Sequence, residues 1–164
     1  MPATYEKIAS TTLGSAAATI DFNSIGSGYT DLRLVLVGID SAGDGVRMTY
    51  NSDTSALYSN TQLYAFSGTV YSGRSTGITY CDLSVFGLST TPHLIEIDIF
   101  SYAGSTFKTN LVSFSGDLNA SNGAIAKVVN LYRSTNAITS IQLKLGSGSF
   151  DTGTSATLYG LLKA

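Results

Sequence analysis

Between His93 and Phe100, Ile95, Ile97 and Ile99 take every second place, with Glu96 and Asp98 between them. On a helix, at about 100° per residue, these side chains would scatter around the axis. A strand sends alternate side chains to opposite faces, so the isoleucines share a dry face and the carboxylates a wet one. The same period of two recurs where Val46, Met48 and Tyr50 alternate with Arg47, Thr49 and Asn51. The run from Asp31 to Ile39 is almost continuously apolar, with Arg33 its main interruption, and predicts a strand buried on both faces or nearly so. Further strand-like runs cover 106–115, 128–133, 138–145 and 156–162. Glycine-rich turns separate the runs at intervals of roughly 10–20 residues. The pattern predicts a single all-β domain: a jelly-roll-like β-sandwich of about eight antiparallel strands in two four-stranded sheets.

Two stretches resist this reading. Ile125, Val128, Val129 and Tyr132 have helical spacing within 121–132, and Asn119 or Ser121 could cap such a helix. The β-prone Val128-Val129-Asn130-Leu131-Tyr132 favours a strand from Val128 instead. The stretch from Tyr58 to Tyr80 is rich in Tyr, Gly and Ser and lacks clean alternation, which predicts a long surface excursion.

The 164 residues fit one domain large enough to fold on its core alone. Hydrophobic residues make up 43% and charged ones only 12%, so small hydroxyl residues fill most polar positions. Net charge is −2 with no basic block, which argues against nucleic acid as a partner. A weakly charged surface is better suited to a stable assembly than to life free at high concentration. One cysteine, Cys81, excludes an intrachain disulfide. No apolar run approaches the length of a membrane helix, and the N-terminus lacks the apolar core of a signal peptide. The expectation is a product made in the cytoplasm, with no membrane partner.

Motifs for chemistry are sparse. Gly73-Arg74-Ser75-Thr76-Gly77 fits the pattern of a nucleophile elbow, with Asp82 and His93 following in hydrolase order. An elbow needs a strand before it and a helix after it, and neither flank here has a helical period. The only histidine, His93, reads as a surface or strand-end residue after Pro92. Cys81 with His93 makes a nominal thiol–imidazole pair, but a small hydrophobic cysteine packed near Leu83 is the better reading. Asp40-Ser41-Ala42-Gly43-Asp44-Gly45 resembles the opening of a calcium loop. Its third position, Ala42, cannot ligate through its side chain, and its twelfth is Asn51 rather than a glutamate. A tight turn accounts for it. Asn119-Ala120-Ser121 is a formal glycosylation acceptor without a secretion signal. The residues therefore call for no catalytic group, no metal and no cofactor, and the chain is expected not to be an enzyme.

That leaves the ten tyrosines. Tyr50, Tyr58, Tyr64, Tyr71 and Tyr80 cluster in the middle third. Exposed tyrosines bind partners at low entropy cost and stack on sugars. Half-buried sandwich residues with hydroxyls at the rim are the plainer alternative. Tyr5, Tyr58, Tyr64, Tyr71 and Tyr80 are the candidate partner-interface residues.

The two ends carry a family resemblance. Tyr5-Glu6-Lys7-Ile8-Ala9 opens the chain, followed by Leu13-Gly14-Ser15-Ala16 leading to Ile20-Asp21-Phe22, and by Tyr29-Thr30-Asp31-Leu32-Arg33-Leu34. Met48-Thr49-Tyr50-Asn51-Ser52-Asp53 comes next, and Ile138-Thr139-Ser140-Ile141 precedes Ser155-Ala156-Thr157-Leu158-Tyr159-Gly160. With these motifs the sequence resembles small virion structural proteins of tailed bacteriophages, including phages of cyanobacteria. The resemblance spans both ends and part of the middle; 58–80 matches none of it. It implies a jelly-roll sandwich on the virion, most simply a decoration or cement protein on the capsid surface. Such a protein would be a homo-oligomer, with a trimer favoured, bridging major capsid protein subunits or other virion proteins. Its contacts would come from an N-terminal arm within residues 1–10 and from the tyrosine-rich loops. The alternative it implies is a receptor-binding or adaptor module of a tail fibre or spike that recognises host-surface glycans.

Overall fold

A computed structural model describes residues 4–117 and 122–162, which form twelve strands and no helix. The larger sheet contains β1 (Tyr5–Thr12), β3 (Asp31–Gly38), β5 (Tyr58–Phe66), β6 (Thr69–Ile78), β8 (His93–Phe100), β9 (Lys108–Asp117), β10 (Gly123–Tyr132) and β12 (Ser155–Leu161). Their order across it is β1-β12-β3-β8-β9-β10-β5-β6. The smaller sheet contains β2 (Thr19–Phe22), β4 (Val46–Tyr50), β7 (Cys81–Asp82) and β11 (Ile141–Leu145), in the order β2-β11-β4-β7. Every pairing is antiparallel. The all-β antiparallel sandwich is as the alternation predicts. The sheets, however, hold eight and four strands rather than four and four.

The smaller sheet lies over one face of the larger, and the core is what the two enclose. Leu32, Leu34 and Leu36 of β3 and Ile95, Ile97 and Ile99 of β8 point into it. Ile20 and Phe22, Val46 and Met48, and Ile141, Leu143 and Leu145 meet them from the smaller sheet. At about 25 cal/mol per Å² of apolar area, this layer is the main stabilising contribution.

Four expectations change. On β3 the second face, Arg33, Val35 and Val37, is only half-buried. The near-continuous apolar run is therefore one core face and one uncovered face, because nothing among the described residues lies over the larger sheet's far side. The strand expected from Val128 is present but starts earlier, at Gly123, so the helical alternative over Ile125 to Tyr132 falls; Asn119 and Ser121 lie outside the described residues. The region 58–80 is mostly a hairpin, β5–β6, at one margin of the larger sheet. Its alternation was hidden because β6 has no buried face to keep apolar. Within residues 1–10, Tyr5 onward is a paired strand and not a free arm: β1 runs beside β12 from Tyr5↔Leu161 to Thr12↔Ser155.

Long-range pairing joins the chain's two ends in both sheets. β12 lies between β1 and β3, while β11 lies between β2 and β4. Backbone hydrogen bonds outside the ladders extend the seam: Leu13 N–H to Thr154 O at 2.8 Å, Thr30 N–H to Leu161 O at 2.8 Å, and Leu162 N–H to Thr4 O at 3.1 Å. Gly160 sits where the terminal motifs meet. A Cβ there would lie 2.3 Å from the ring of Tyr29, so only glycine admits the tyrosine.

Candidate functional site

The five candidate tyrosines do not form one surface. Tyr58 is fully buried (0% exposed), because its ring belongs to an internal stack with Tyr50 and Tyr132. The Tyr58 and Tyr132 rings stack with centroids 4.6 Å apart. Tyr64 and Tyr71 stack across the β5–β6 hairpin at 5.1 Å, with Tyr64 also meeting the edge of Phe86. Tyr80 is half-buried beneath the Arg47 guanidinium, 4.4 Å from the ring centroid. Tyr5 is exposed at the opposite margin of the sheet, edge-on to Tyr159. Tyr58 is therefore withdrawn from the interface set, and the others occupy three separate places.

The buried tyrosines belong to a polar network between the sheets. Asn60, Asn130 and Asn110 stand directly opposite one another on β5, β10 and β9. Asn130 Nδ2 donates to Asn110 Oδ1 at 3.0 Å and to the Asp82 carbonyl at 2.9 Å, and Asn130 Oδ1 accepts from the Asp82 N–H at 2.9 Å. Asn110 Nδ2 donates to Tyr50 Oη at 2.7 Å and to Cys81 Sγ at 3.3 Å. Tyr132 Oη donates to Asp53 Oδ2 at 2.6 Å, and Tyr58 Oη donates to the Asp53 carbonyl at 2.9 Å. The asparagines thus tie β7 to the larger sheet, giving two-residue β7 the hydrogen bonds that its length denies it. Burial pushes the Cys81 thiol up to about 12, so it is a thiol packed in the core near Leu83.

The elbow pattern has no elbow. Gly73 to Gly77 lies within β6, and the strand runs on to Ile78. Ser75 is exposed on that strand. His93, read as a surface or strand-end residue, is at a strand end, the first residue of β8, but is buried there, edge-on to Phe114. Its Nε2 lies 3.1 Å from Ser89 Oγ, and its Nδ1 is buried without a hydrogen-bond partner. The ring rests on Gly116, where a Cβ would approach it to 2.8 Å. Burial holds the imidazole below its ordinary value. Burial also raises the Asp82 carboxyl to about 6, against the opposing pull of Arg47.

The calcium-like loop is a turn. The Asp40 carboxylate accepts from Ala42 N–H at 2.9 Å and from Asp44 N–H at 2.7 Å, and Asp151 accepts from Ser41 N–H at 2.8 Å. Both Asp44 oxygens lie 2.9 Å from Ser147 Oγ. Among the described residues no three His, Cys, Asp or Glu side chains gather as a metal site would require. The Asn119-Ala120-Ser121 acceptor lies outside the described residues.

The residues that sequence reasoning missed lie on the larger sheet's outer face. Val70 is 68% exposed, Ile125 65% and Leu63 57%, with Leu94 and Val129 also exposed. The register joins Leu94, Ile125 and Val70. Val37, Leu94, Ser115, Ile125, Ala65 and Val70 form one cross-strand row over β3, β8, β9, β10, β5 and β6. A shallow apolar groove runs beside it, lined by Leu63, Ala65, Val70, Ile125 and the stem of Lys127. Towards β3 the face turns polar: Arg33 bridges Glu96 at 2.6 Å and Asp98 at 3.1 Å. Contiguous exposed apolar surface of this kind marks a contact face more often than isolated residues do. Its signal in the sequence was Ile125, Lys127 and Val129, which alternate with Ala126, Val128 and Asn130 to make two half-apolar faces. Compared with protein-family models, curated proteins and solved structures, the chain matches none.

Proposed function

We propose that this chain is a structural protein of a tailed-bacteriophage virion, and that it decorates the outer shell and stiffens it by packing against shell subunits. The observation that supports this reading is the uncovered outer face of the larger sheet, where Leu63, Val70, Leu94, Ile125 and Val129 stand exposed. Seating that face on a neighbour removes apolar area from water, which stabilises an assembly without any reaction. The phage assignment rests on the terminal motifs. Those motifs meet in space, with Tyr5 to Ala9 on β1, Ser155 to Gly160 on β12, and Tyr29 on Gly160. The glycan-reading alternative loses part of its expected platform, since Tyr58 is internal.

Densitometry of purified particles encoding this chain tests the reading. A shell decoration is present in hundreds of copies per particle, so its band should rival that of the major capsid protein; a faint band overturns the assignment. The double substitution Leu63→Lys, Ile125→Lys charges the outer face at exposed positions. It should leave the isolated domain folded and keep it off the particle. Undiminished incorporation would show that another face makes the contact.

A further inference from the structure

The two sheets have four edges, and three of them are well guarded. β2 has four residues and β7 only two, too short to template another strand. β1 carries Glu6 and Lys7, and its ladder with β12 shifts register between Lys7 and Ala9. Charge and a bulge are the ordinary means of blunting an edge. β6 is guarded less, since its ladder with β5 shifts register only beyond Thr76. From Thr69 to Thr76 it pairs with β5 without a register shift, carries no proline, and has one charge, Arg74. Apolar side chains are exposed on both its faces: Val70 on the outer, Tyr71 on the inner. Along this margin the backbone groups facing away from β5 have no partner strand among the described residues.

We infer that β6 pairs with β6 of a second copy about a two-fold axis at Ser72, joining two larger sheets into one. A two-fold axis perpendicular to the sheet places a strand antiparallel to its own copy, the sense of every other pairing in this protein. Register at Ser72 puts Val70 opposite Arg74 of the second copy and Tyr71 opposite Gly73 of the second copy. Each contact occurs twice. The Tyr71 ring then meets Gly73 of the second copy together with the Gln62 side chain that already covers it, whose Nε2 lies 2.9 Å from where a Cβ would stand. Arg74 is held to Thr61 Oγ1 at 2.9 Å on its own hairpin. The two Arg74 side chains fall roughly 14 Å apart along the strands, beyond the about 10 Å over which exposed charges interact at ordinary salt. On the outer face the row that ends at Val70 meets Arg74 of the second copy at the seam, with Thr61 beyond it.

Ser72 is exposed, so charging it does not disturb the core. Sedimentation of the whole chain should give the mass of two copies. Ser72→Lys and Ser72→Glu each place like charges opposite one another at the axis, and each alone should give the mass of one. Mixed in equal amounts, the two variants should return to the mass of two, now as a mixed pair. Ser10→Lys on β1 serves as the control and should not change the mass. The inference is overturned if the unaltered chain sediments as one copy or three. It is equally overturned if either Ser72 variant stays paired, or if the mixture stays apart.

Discussion

Val128 and Val129 are neighbours of identical chemistry on β10, yet Val128 is 0% exposed and Val129 45%. The pleat turns one towards the smaller sheet and the other towards open surface. The same division runs across the whole larger sheet. Inside, isoleucines and leucines interlock with a second layer, and the polar groups admitted there (Asn110, Asn130, Tyr50) are bonded to one another. Outside, apolar residues of the same kind stand uncovered beside an ion-pair cluster around Arg33. Burial gives a residue its energetic weight in the isolated domain. The outer residues gain theirs only when something covers them.

Truncation should show this difference most strongly. Ile97→Ala in the inner layer should cost about 2–5 kcal/mol, from lost transfer energy and the cavity left behind. Ile125→Ala on the outer face should stay within about 0.5 kcal/mol. Urea unfolding of both variants measures this, and similar losses would mean that the outer face is already packed in the free protein. Gly160→Ala should cost about 1–3 kcal/mol, because its methyl group must displace the Tyr29 ring from 2.3 Å. An unchanged midpoint would break the argument that the terminal motifs lock each other. Tyr132→Phe keeps the internal ring stack and removes the hydrogen bond to Asp53, with an expected loss of about 1 kcal/mol. A larger loss would mean that the hydroxyl anchors the whole Tyr50–Tyr58–Tyr132 group.

Two inner groups make the comparison pH-dependent, with opposite signs. His93 is held neutral by burial, so its folded value lies below the ordinary 6.5. Its contribution is complete above 6.5 and is lost as pH falls through that value towards the folded one, because the unfolded chain takes up the proton first. Asp82 has a folded value raised to about 6, against 3.8 unfolded. Its half-buried carboxylate costs stability at neutral pH, and that cost is relieved as pH falls from about 6 towards 3.8. His93→Gln should therefore flatten the acid-side decline, and Asp82→Asn should steepen it between pH 6 and 4. Denaturation at pH 7, 5.5 and 4 measures both slopes. A slope unchanged by either substitution would mean that the group is solvated in solution. On the outer face, Val129→Ala should leave every one of these curves unmoved, the smallest effect of the set.

Much of the inner face was legible in the sequence. Alternation in β4 and β8 is written in Val46-Met48-Tyr50 and Ile95-Ile97-Ile99, because one dry face leaves a period of two. Asp40 to Gly45 was readable as a turn from its own side-chain chemistry. The β5–β6 hairpin was not, since a strand exposed on both faces has no buried side to select apolar residues. The burial of Tyr58 was hidden for a related reason. Tyr58 and Tyr71 look alike in the chain, but one falls under the smaller sheet and the other beyond its reach.

By itself the sequence determined the class: an all-β, single-domain sandwich without disulfides, because short-range periodicity and turn chemistry are local. Only the tertiary structure decided how the strands divide between sheets of eight and four. It likewise decided which apolar residues stay uncovered, and which edge is least guarded. These depend on register and strand order, which are set by contacts between residues far apart in the chain, such as Tyr5 with Leu161 and Asn60 with Asn130. No local pattern encodes such a contact, because each partner's neighbours in sequence are indifferent to it.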